Sequence, residues 1–266
     1  MDFTALFRCP ECLKSNLALQ SKQLICNDCG HCCPGRSGFF DFRAGSLEKR
    51  VASTAEQRLM ESELVARVYE RFWRPAFVRV IAGKGADALT NGFSGEFFIH
   101  KNSLGMDDRE GPWLDLSCGP GSFSRAMASA SPGSRVVGLD IAKSMVEVAT
   151  SRGQGYDNLA FVRGDAHELP FVDGCMGGVN NSGALHVYDD PEAVFNEIWR
   201  VLRSDGLFVG STFAPAKTFV GRLSSRVAGI RRFAPAELRA WLARIGFADY
   251  EEVRLGSAFI FRVRKP

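Results

Sequence analysis

From Trp113 onwards, short apolar runs alternate with segments whose apolar residues recur every three or four positions. The apolar runs predict buried strands over 113–117, 135–140, 159–163, 177–181 and 206–212, with the last strands over 251–263. The periodic segments predict helices over 123–129, 143–150, 191–202 and 235–246. Because this alternation is typical of βαβ units, we predict an α/β fold with a parallel, Rossmann-like sheet and helices on both faces.

The chain upstream of this pattern has a different character. Residues 46–110 predict mostly helix, with apolar positions three to five residues apart between 56 and 80 and a second short helix near 96–104. These helices either cover a substrate cleft or form a packed layer on the core. We therefore divide the chain into a small unit over 1–45, the helical segment over 46–110 and an α/β domain over 111–266.

The first unit, called here the cysteine-rich unit, holds six of the eight cysteines. Cys9 and Cys12 form one CxxC pair and Cys26 and Cys29 form another, which is the spacing of a zinc ribbon. Each CxxC turn places two thiolates on one side of a tetrahedral Zn²⁺ ion. Because so short a unit buries little apolar surface, metal binding would supply its folding energy.

The other polar residues of this unit leave alternatives open. Disulfide bonds could replace the metal, although a reducing intracellular compartment disfavours them. Cys32 and Cys33 are additional cysteines: either takes the place of Cys29 as a ligand, or both pack in the interior. His31 is a further candidate ligand, or an ordinary loop residue.

Acidic residues and glycines follow the first three strands of the α/β pattern. Asp115, Asp140 and Asp165 lie at strand ends, and Gly119 and Gly121 lie in the first strand-to-helix turn. Ligands of such sheets bind beyond the carboxyl ends of the strands. The turn lacks the GxGxxG spacing of dinucleotide sites, whereas a carboxylate after the second strand suits ribose hydroxyls. We therefore predict a site for a nucleoside without phosphates.

Five segments stand out along the α/β pattern, at 114–121, 137–145, 164–171, 182–186 and 197–206. In order and in spacing they resemble the motifs of class I S-adenosylmethionine-dependent methyltransferases. The resemblance implies that S-adenosylmethionine is the cofactor. It implies binding by residues of the first turn and the strand ends: Asp115, Ser117, Cys118, Gly119, Gly121, Asp140, Ile141, Met145, Asp165, Ala166 and Asn181.

The same resemblance assigns roles within that set. The glycines of the first turn would line the methionine part of the cofactor, and Asp140 would bind the ribose. Ile141 and Met145 would flank the adenine, with Asp165 on its amino group and Ala166 beside it.

One subgroup is similar over nearly the whole chain, namely plant and algal plastid methyltransferases related to the ubiquinone and menaquinone C-methyltransferases. The shared features are the leading CxxC pairs, the YERFWRPAF stretch at 69–77, the SCGPGSFSR loop at 117–125 and the terminal Lys-Pro. This resemblance implies a plastid location.

Catalysis of methyl transfer requires in-line positioning of the acceptor and, for a weak nucleophile, a base. His186 follows the fourth strand and is the candidate base, since an imidazole titrates near neutral pH. The alternative is a structural histidine in that loop. Tyr188 is the candidate for orienting an acceptor hydroxyl, or it packs at the rim.

Charge is uneven along the chain. Residues 214–266 carry 11 basic and four acidic side chains, whereas residues 46–213 carry 17 and 22. Five basic residues and no acidic one lie in 217–232, interleaved with apolar residues, which predicts an amphipathic helix. It would serve as a lid over the acceptor site, as a peripheral contact with an anionic membrane or lipid droplet, or as an RNA contact.

The predicted function is methyl transfer to a small molecule, and aromatic or prenylated molecules are the candidate acceptors. The second hypothesis is an RNA base methyltransferase whose zinc ribbon contacts rRNA or tRNA, and the third is a non-catalytic cofactor-binding scaffold. No apolar run approaches the length of about 18 residues that a membrane span needs. The first residues do not resemble a secretory signal. We therefore expect a soluble intracellular protein, in the plastid if the resemblance holds and in the cytoplasm otherwise.

Overall fold

The computed structural model describes residues 1–36, 38–43, 93–215 and 231–266. Most of the predicted helical segment, including the 69–77 stretch, lies outside the described residues. The same holds for the predicted basic helix over 217–232, apart from Arg231 and Arg232.

Within the described residues, the strands are β1 Leu17–Gln20, β2 Gln23–Cys26, β3 Cys32–Cys33, β4 Gly35–Arg36, β5 Phe39–Asp41, β6 Trp113–Leu116, β7 Val136–Asp140, β8 Leu159–Arg163, β9 Met176–Ser182, β10 Leu202–Phe213, β11 Ala248–Leu255 and β12 Ala258–Arg264. The α-helices are α1 Phe93–Leu104, α2 Ser122–Ala130, α3 Lys143–Arg152, α4 Pro191–Val201 and α5 Pro235–Ile245. Short 3₁₀ turns occupy Thr4–Leu6 and Leu185–Val187.

The described strands β4–β12 form one sheet in the order β11-β12-β10-β9-β6-β7-β8-β5-β4. Its centre, from β10 to β8, is parallel, whereas β12 runs antiparallel to β10 and β11. This arrangement confirms the predicted Rossmann-like fold. The carboxyl ends of β6, β7, β8 and β9 therefore meet at one edge, which is where ligands bind in such sheets.

Local sequence explains where α4 begins. In α4, the Asp190 carboxylate accepts a hydrogen bond from the Ala193 N–H at 3.1 Å, and Pro191 occupies the first turn. Both are typical of a helix N-terminus. The helix then buries Phe195 and Ile198 against the sheet.

The two glycines of β9 make it look a poor strand by propensity, yet packing requires one of them. A Cβ at Gly178 would lie 2.8 Å from Trp113 Cζ3. Trp113 is fully buried on the neighbouring strand β6. A side chain at 178 would therefore displace the largest residue of this part of the core.

The cysteine-rich unit is attached to the sheet. Strands β1, β2 and β3 form a small sheet of their own, whereas β4 and β5 join the main sheet. Strand β5 runs parallel to β8, with Phe40 opposite Val162 and Asp41 opposite Arg163. These contacts bring the unit next to the loop that follows β8.

Candidate functional site

The turn after β6 has a tightly coiled backbone. Ser117, Gly119 and Gly121 all have positive φ, at 57°, 54° and 83°. A Cβ at Gly121 would lie 2.8 Å from Phe161 Cζ, so both space and conformation require glycine there. Helix α2 begins directly after Gly121, at Ser122.

Asp140 at the end of β7 is joined to this turn. Its Oδ2 accepts the Gly119 N–H at 2.8 Å, and its Oδ1 accepts the Ala142 N–H at 2.9 Å. Burial raises the pKa of Asp140, and the backbone N–H groups oppose that rise. Each carboxylate oxygen can accept more than one hydrogen bond, so the group remains able to bind ribose hydroxyls.

Asp165, after β8, is held by the histidine two residues on. Its Oδ1 lies 2.7 Å from His167 Nδ1, and His167 Nε2 lies 2.9 Å from Asp189 Oδ1. Burial raises the pKa of Asp165, but the bonds from His167 and the charge of Arg43 outweigh burial and leave the pKa below its usual value. An anionic Asp165 can accept a hydrogen bond from an adenine amino group.

A buried chain of polar side chains supports the turn from below. Asp115 accepts Ser124 Oγ–H at 2.6 Å and Asn180 Nδ2–H at 2.8 Å. Asn180 Oδ1 in turn lies 2.6 Å from His100 Nδ1 on α1. The sequence identified only Asp115, because nothing local indicates that His100 and Asn180 would be buried together.

Tyr188 and Asn181 form a second connection to the turn. The Tyr188 hydroxyl lies 2.7 Å from Ser117 Oγ and accepts Asn181 Nδ2–H at 2.7 Å. Asn181 also donates to the Leu116 carbonyl at 3.0 Å. Burial raises the pKa of Tyr188, so its hydroxyl stays protonated at neutral pH. The structure thus brings two predicted cofactor residues and one predicted catalytic residue together.

Side chains at and just beyond the carboxyl ends of β9 and β10 lie at the same edge of the sheet. The His186 ring is buried and packs edge-on against Phe213, with ring centroids 5.5 Å apart. Ser182 Oγ donates to Glu96 Oε1 of α1 at 2.9 Å. Glu96 is a polar group of the site that sequence reasoning missed, since its place depends on how α1 packs.

The remaining predicted cofactor residues surround the same edge. Ile141 directly follows Asp140, and its carbonyl accepts Arg163 Nε–H at 3.1 Å. Met145 and Ala166 are buried beyond β7 and β8. The Cys118 thiol points to the Gly119 carbonyl at 3.5 Å, and burial raises its pKa well above the usual value.

A separate cluster lies in the cysteine-rich unit. The four Sγ atoms of Cys9, Cys12, Cys26 and Cys29 lie within 4.8 Å of one another. The Cys9–Cys29 and Cys12–Cys26 pairs are 3.6 and 3.5 Å apart. A tetrahedral Zn²⁺ with bonds of about 2.3 Å places its sulfur ligands about 3.8 Å apart, so the cluster fits the ion.

Known proteins identify the chain. The profile of the methyltransferase domain family matches residues 114–210. An uncharacterized chloroplastic methyltransferase of Arabidopsis thaliana is 30% identical over 291 aligned positions, covering 100% of this chain and 80% of the relative. The chain belongs to the class I S-adenosylmethionine-dependent methyltransferases. The enzyme therefore uses S-adenosylmethionine.

Two more relatives of the methyltransferase are informative. A demethylmenaquinone methyltransferase of Thermus thermophilus is 29% identical over 174 positions, covering 55% of this chain and 79% of the relative. The solved structure of Haemonchus contortus phosphoethanolamine N-methyltransferase 2 matches with a TM-score of 0.59 at 16% identity. It covers 76% of this chain and 60% of that one, and it supports the fold.

The other cysteines near the zinc-type cluster of the methyltransferase have different surroundings. Cys33 is fully buried in the main core, and burial raises its pKa to about 12. The Cys32 thiol contacts Gln23 Oε1 at 3.1 Å on the small sheet. His31 Nδ1 lies 3.9 Å from Glu11 Oε1. Of the alternatives considered from sequence, the described geometry favours Cys29 over Cys32 or Cys33 as the fourth member.

Among the described residues, no helix is both long enough and apolar enough to cross a bilayer.

Proposed function

We propose that the methyltransferase acts on a small molecule with a flat, apolar acceptor part, aromatic or prenylated. The observation that carries this proposal is the aromatic pair at the carboxyl ends of β9 and β10, where the His186 ring packs edge-on against Phe213, the last residue of β10. Small-molecule sites are lined mainly by apolar and aromatic side chains, with a few polar groups that orient the ligand. The similarity to demethylmenaquinone methyltransferases supports an acceptor of this class.

The cofactor site is proposed to use the residues around the first turn. S-adenosylmethionine supplies a methyl group on a sulfonium, which is already a strong methyl donor. The methionine part lies against the coiled 117–121 backbone, and Asp140 accepts hydrogen bonds from the ribose hydroxyls. Asp165 receives the adenine amino group, while Ile141 and Met145 flank the ring.

The two predicted catalytic residues take different proposed roles. His186 lies on the acceptor side and accepts the proton that a hydroxyl or activated carbon acceptor loses. Tyr188 acts by positioning, because its hydroxyl is already engaged by Ser117 and Asn181. It thereby fixes the cofactor turn relative to the loop that carries the base.

The cluster of Cys9, Cys12, Cys26 and Cys29 is proposed to hold a structural Zn²⁺ ion. Four thiolates form a closed tetrahedral site, which leaves no position for substrate and supplies folding energy. Metal analysis of freshly purified protein should find about one equivalent of zinc. Less than about half an equivalent, with folded protein, would contradict the assignment.

The location and the division of the chain also remain proposals. We place the enzyme in the plastid, since two Arabidopsis thaliana relatives are named as chloroplastic. We propose domain boundaries at residues 45 and 110. Strands β4 and β5 belong to the first unit by this division, although they pair with the main sheet.

The test of the acceptor class is parallel profiling of small molecules and RNA from cells that lack the gene. We expect an unmethylated small molecule to accumulate and RNA modification to stay unchanged. Loss of a single RNA methylation would support the second hypothesis. A steep salt dependence of heparin retention would accompany it, because phosphate contacts release counterions. Cofactor binding without a change in either profile would favour the scaffold.

A further inference from the structure

The cysteine-rich unit contacts residues 170–172, which follow the loop after β8 that carries Asp165. Phe7 forms an antiparallel bridge with Phe171, and their rings stack with centroids 5.6 Å apart. The Arg8 N–H donates to the Pro170 carbonyl at 3.0 Å. Residues 170–172 come directly after the segment that begins at Asp165. The first CxxC pair starts at the next residue, Cys9, so the proposed zinc site adjoins this contact.

A second contact reaches β8, the strand that precedes the Asp165 loop. Arg163 is the last residue of β8, and its Nη1 lies 3.2 Å from Asp41 Oδ2 of β5. The Nε–H of the same guanidinium donates to the Ile141 carbonyl at 3.1 Å. The Phe42 N–H completes the contact by donating to the Arg163 carbonyl at 3.0 Å. Arg163 thus joins the cysteine-rich unit to the loop after β7.

The position of the Arg163 side chain depends on the charge of Asp41. The Asp41 side chain is 3% exposed and that of Arg163 is 19% exposed. A largely buried guanidinium needs a carboxylate partner, and removing that partner leaves an uncompensated charge. Without Asp41, the guanidinium would turn towards solvent or another carboxylate and release the Ile141 carbonyl. Arginine bonds Asp41 and the Ile141 carbonyl through two different nitrogens of one rigid plane, a geometry that the single Nζ of lysine does not have.

We propose that the cysteine-rich unit is part of the cofactor site. Asp41 holds the Arg163 guanidinium, and Arg163 in turn fixes the Ile141 carbonyl and thereby the loop after β7, which flanks the adenine. Asp41 and Arg163 are therefore positioning residues for cofactor binding. The inference rests on the proposed assignment of Asp140 and Ile141 to the adenosine half of the site.

The experiment is calorimetric titration of the full-length protein with S-adenosylmethionine and with 5′-methylthioadenosine, which lacks the amino-acid part. We expect Asp41→Asn and Arg163→Lys each to lower the affinity for both ligands about tenfold, which is a typical coupling between two sites. Arg163→Lys retains the charge opposite Asp41, so it keeps the test valid if Asp41→Asn unfolds. Asp249→Asn is the matched control, because Asp249 pairs with Arg264 at the opposite edge of the same sheet.

The double variant separates positioning from a general effect on the fold. If Asp41 acts through Arg163, then Asp41→Asn adds less than a twofold loss of affinity in the Arg163→Lys background. The proposal is overturned if the affinity losses of the two single variants multiply in the double variant. It is also overturned if only S-adenosylmethionine binds more weakly, or if both single variants keep affinities within twofold of the wild type. The Asp140→Asn variant tests the underlying site. If its cofactor affinity is unchanged, the site assignment itself is wrong, whatever Asp41 does.

Discussion

The carboxyl group of Asp115 is expected to make the enzyme less stable as pH rises through the mildly acidic range. Burial raises its pKa to about 6 from the usual 3.8, although Ser124 and Asn180 both donate hydrogen bonds to it. The folded state therefore holds the proton more tightly than the unfolded state. The stability from this group is complete below the unfolded pKa and is lost as pH rises through the folded one.

The size of this effect follows from the difference between the two pKa values. At 1.36 kcal/mol for each pKa unit, the full loss is about 3 kcal/mol, and about 2 kcal/mol of it falls between pH 4.5 and pH 8. Asp115→Asn cannot ionise but has the same shape. Its amide oxygen accepts from Asn180, and its amide N–H donates to the Ser124 hydroxyl, which can rotate.

The assay is urea unfolding of the wild type and the Asp115→Asn variant at several pH values from 4.5 to 8. The unfolding free energy of the variant should gain about 2 kcal/mol relative to the wild type across this range. Asp249→Asn, at an exposed carboxylate, reports the general effect of removing one acidic group. Parallel profiles for the wild type and Asp115→Asn would refute the reasoning, because they would mean that the buried carboxyl does not titrate in this range.

Three other variants test separate contacts. Tyr188→Phe leaves Ser117 and Asn181 without their shared partner and should lower the unfolding free energy by about 1–3 kcal/mol; no change would show that this connection is unimportant. Phe7→Ala removes a fully buried ring and should cost about 3–5 kcal/mol in urea unfolding, whereas a loss below about 1 kcal/mol would mean that the cysteine-rich unit docks elsewhere. His186→Gln should lower kcat by a factor of about 10²–10⁴ while cofactor affinity is retained, and intact turnover would exclude it as the base.

The sheet and the cofactor turn could be predicted because their signals are local. Alternating apolar runs and periodic segments predicted β6 to β10 with end shifts of a few residues. Gly119 and Gly121 follow a buried strand directly, so sequence position alone places them at the ligand edge. The two CxxC pairs are likewise local, because each forms a single turn of the chain. In the structure all four thiols lie within 4.8 Å of one another.

The features that sequence analysis missed depend on contacts between distant segments. Strands β4 and β5 have two and three residues, too short for a periodic signal, and the Asp41–Arg163 pair is 122 positions apart. His100 and Asn180 meet only because α1 packs over β9. A single polar residue in an apolar run does not reveal which partner it will meet.

Methyl transfer to a small molecule is tested by incubating the purified enzyme and labelled S-adenosylmethionine with the organic-soluble extract and the RNA of cells that lack the enzyme. We expect label in one organic-soluble compound, none in RNA above background, and loss of transfer with Asp140→Asn. Label in RNA alone, or in neither fraction while the purified enzyme binds the cofactor, would contradict methyl transfer to a small molecule.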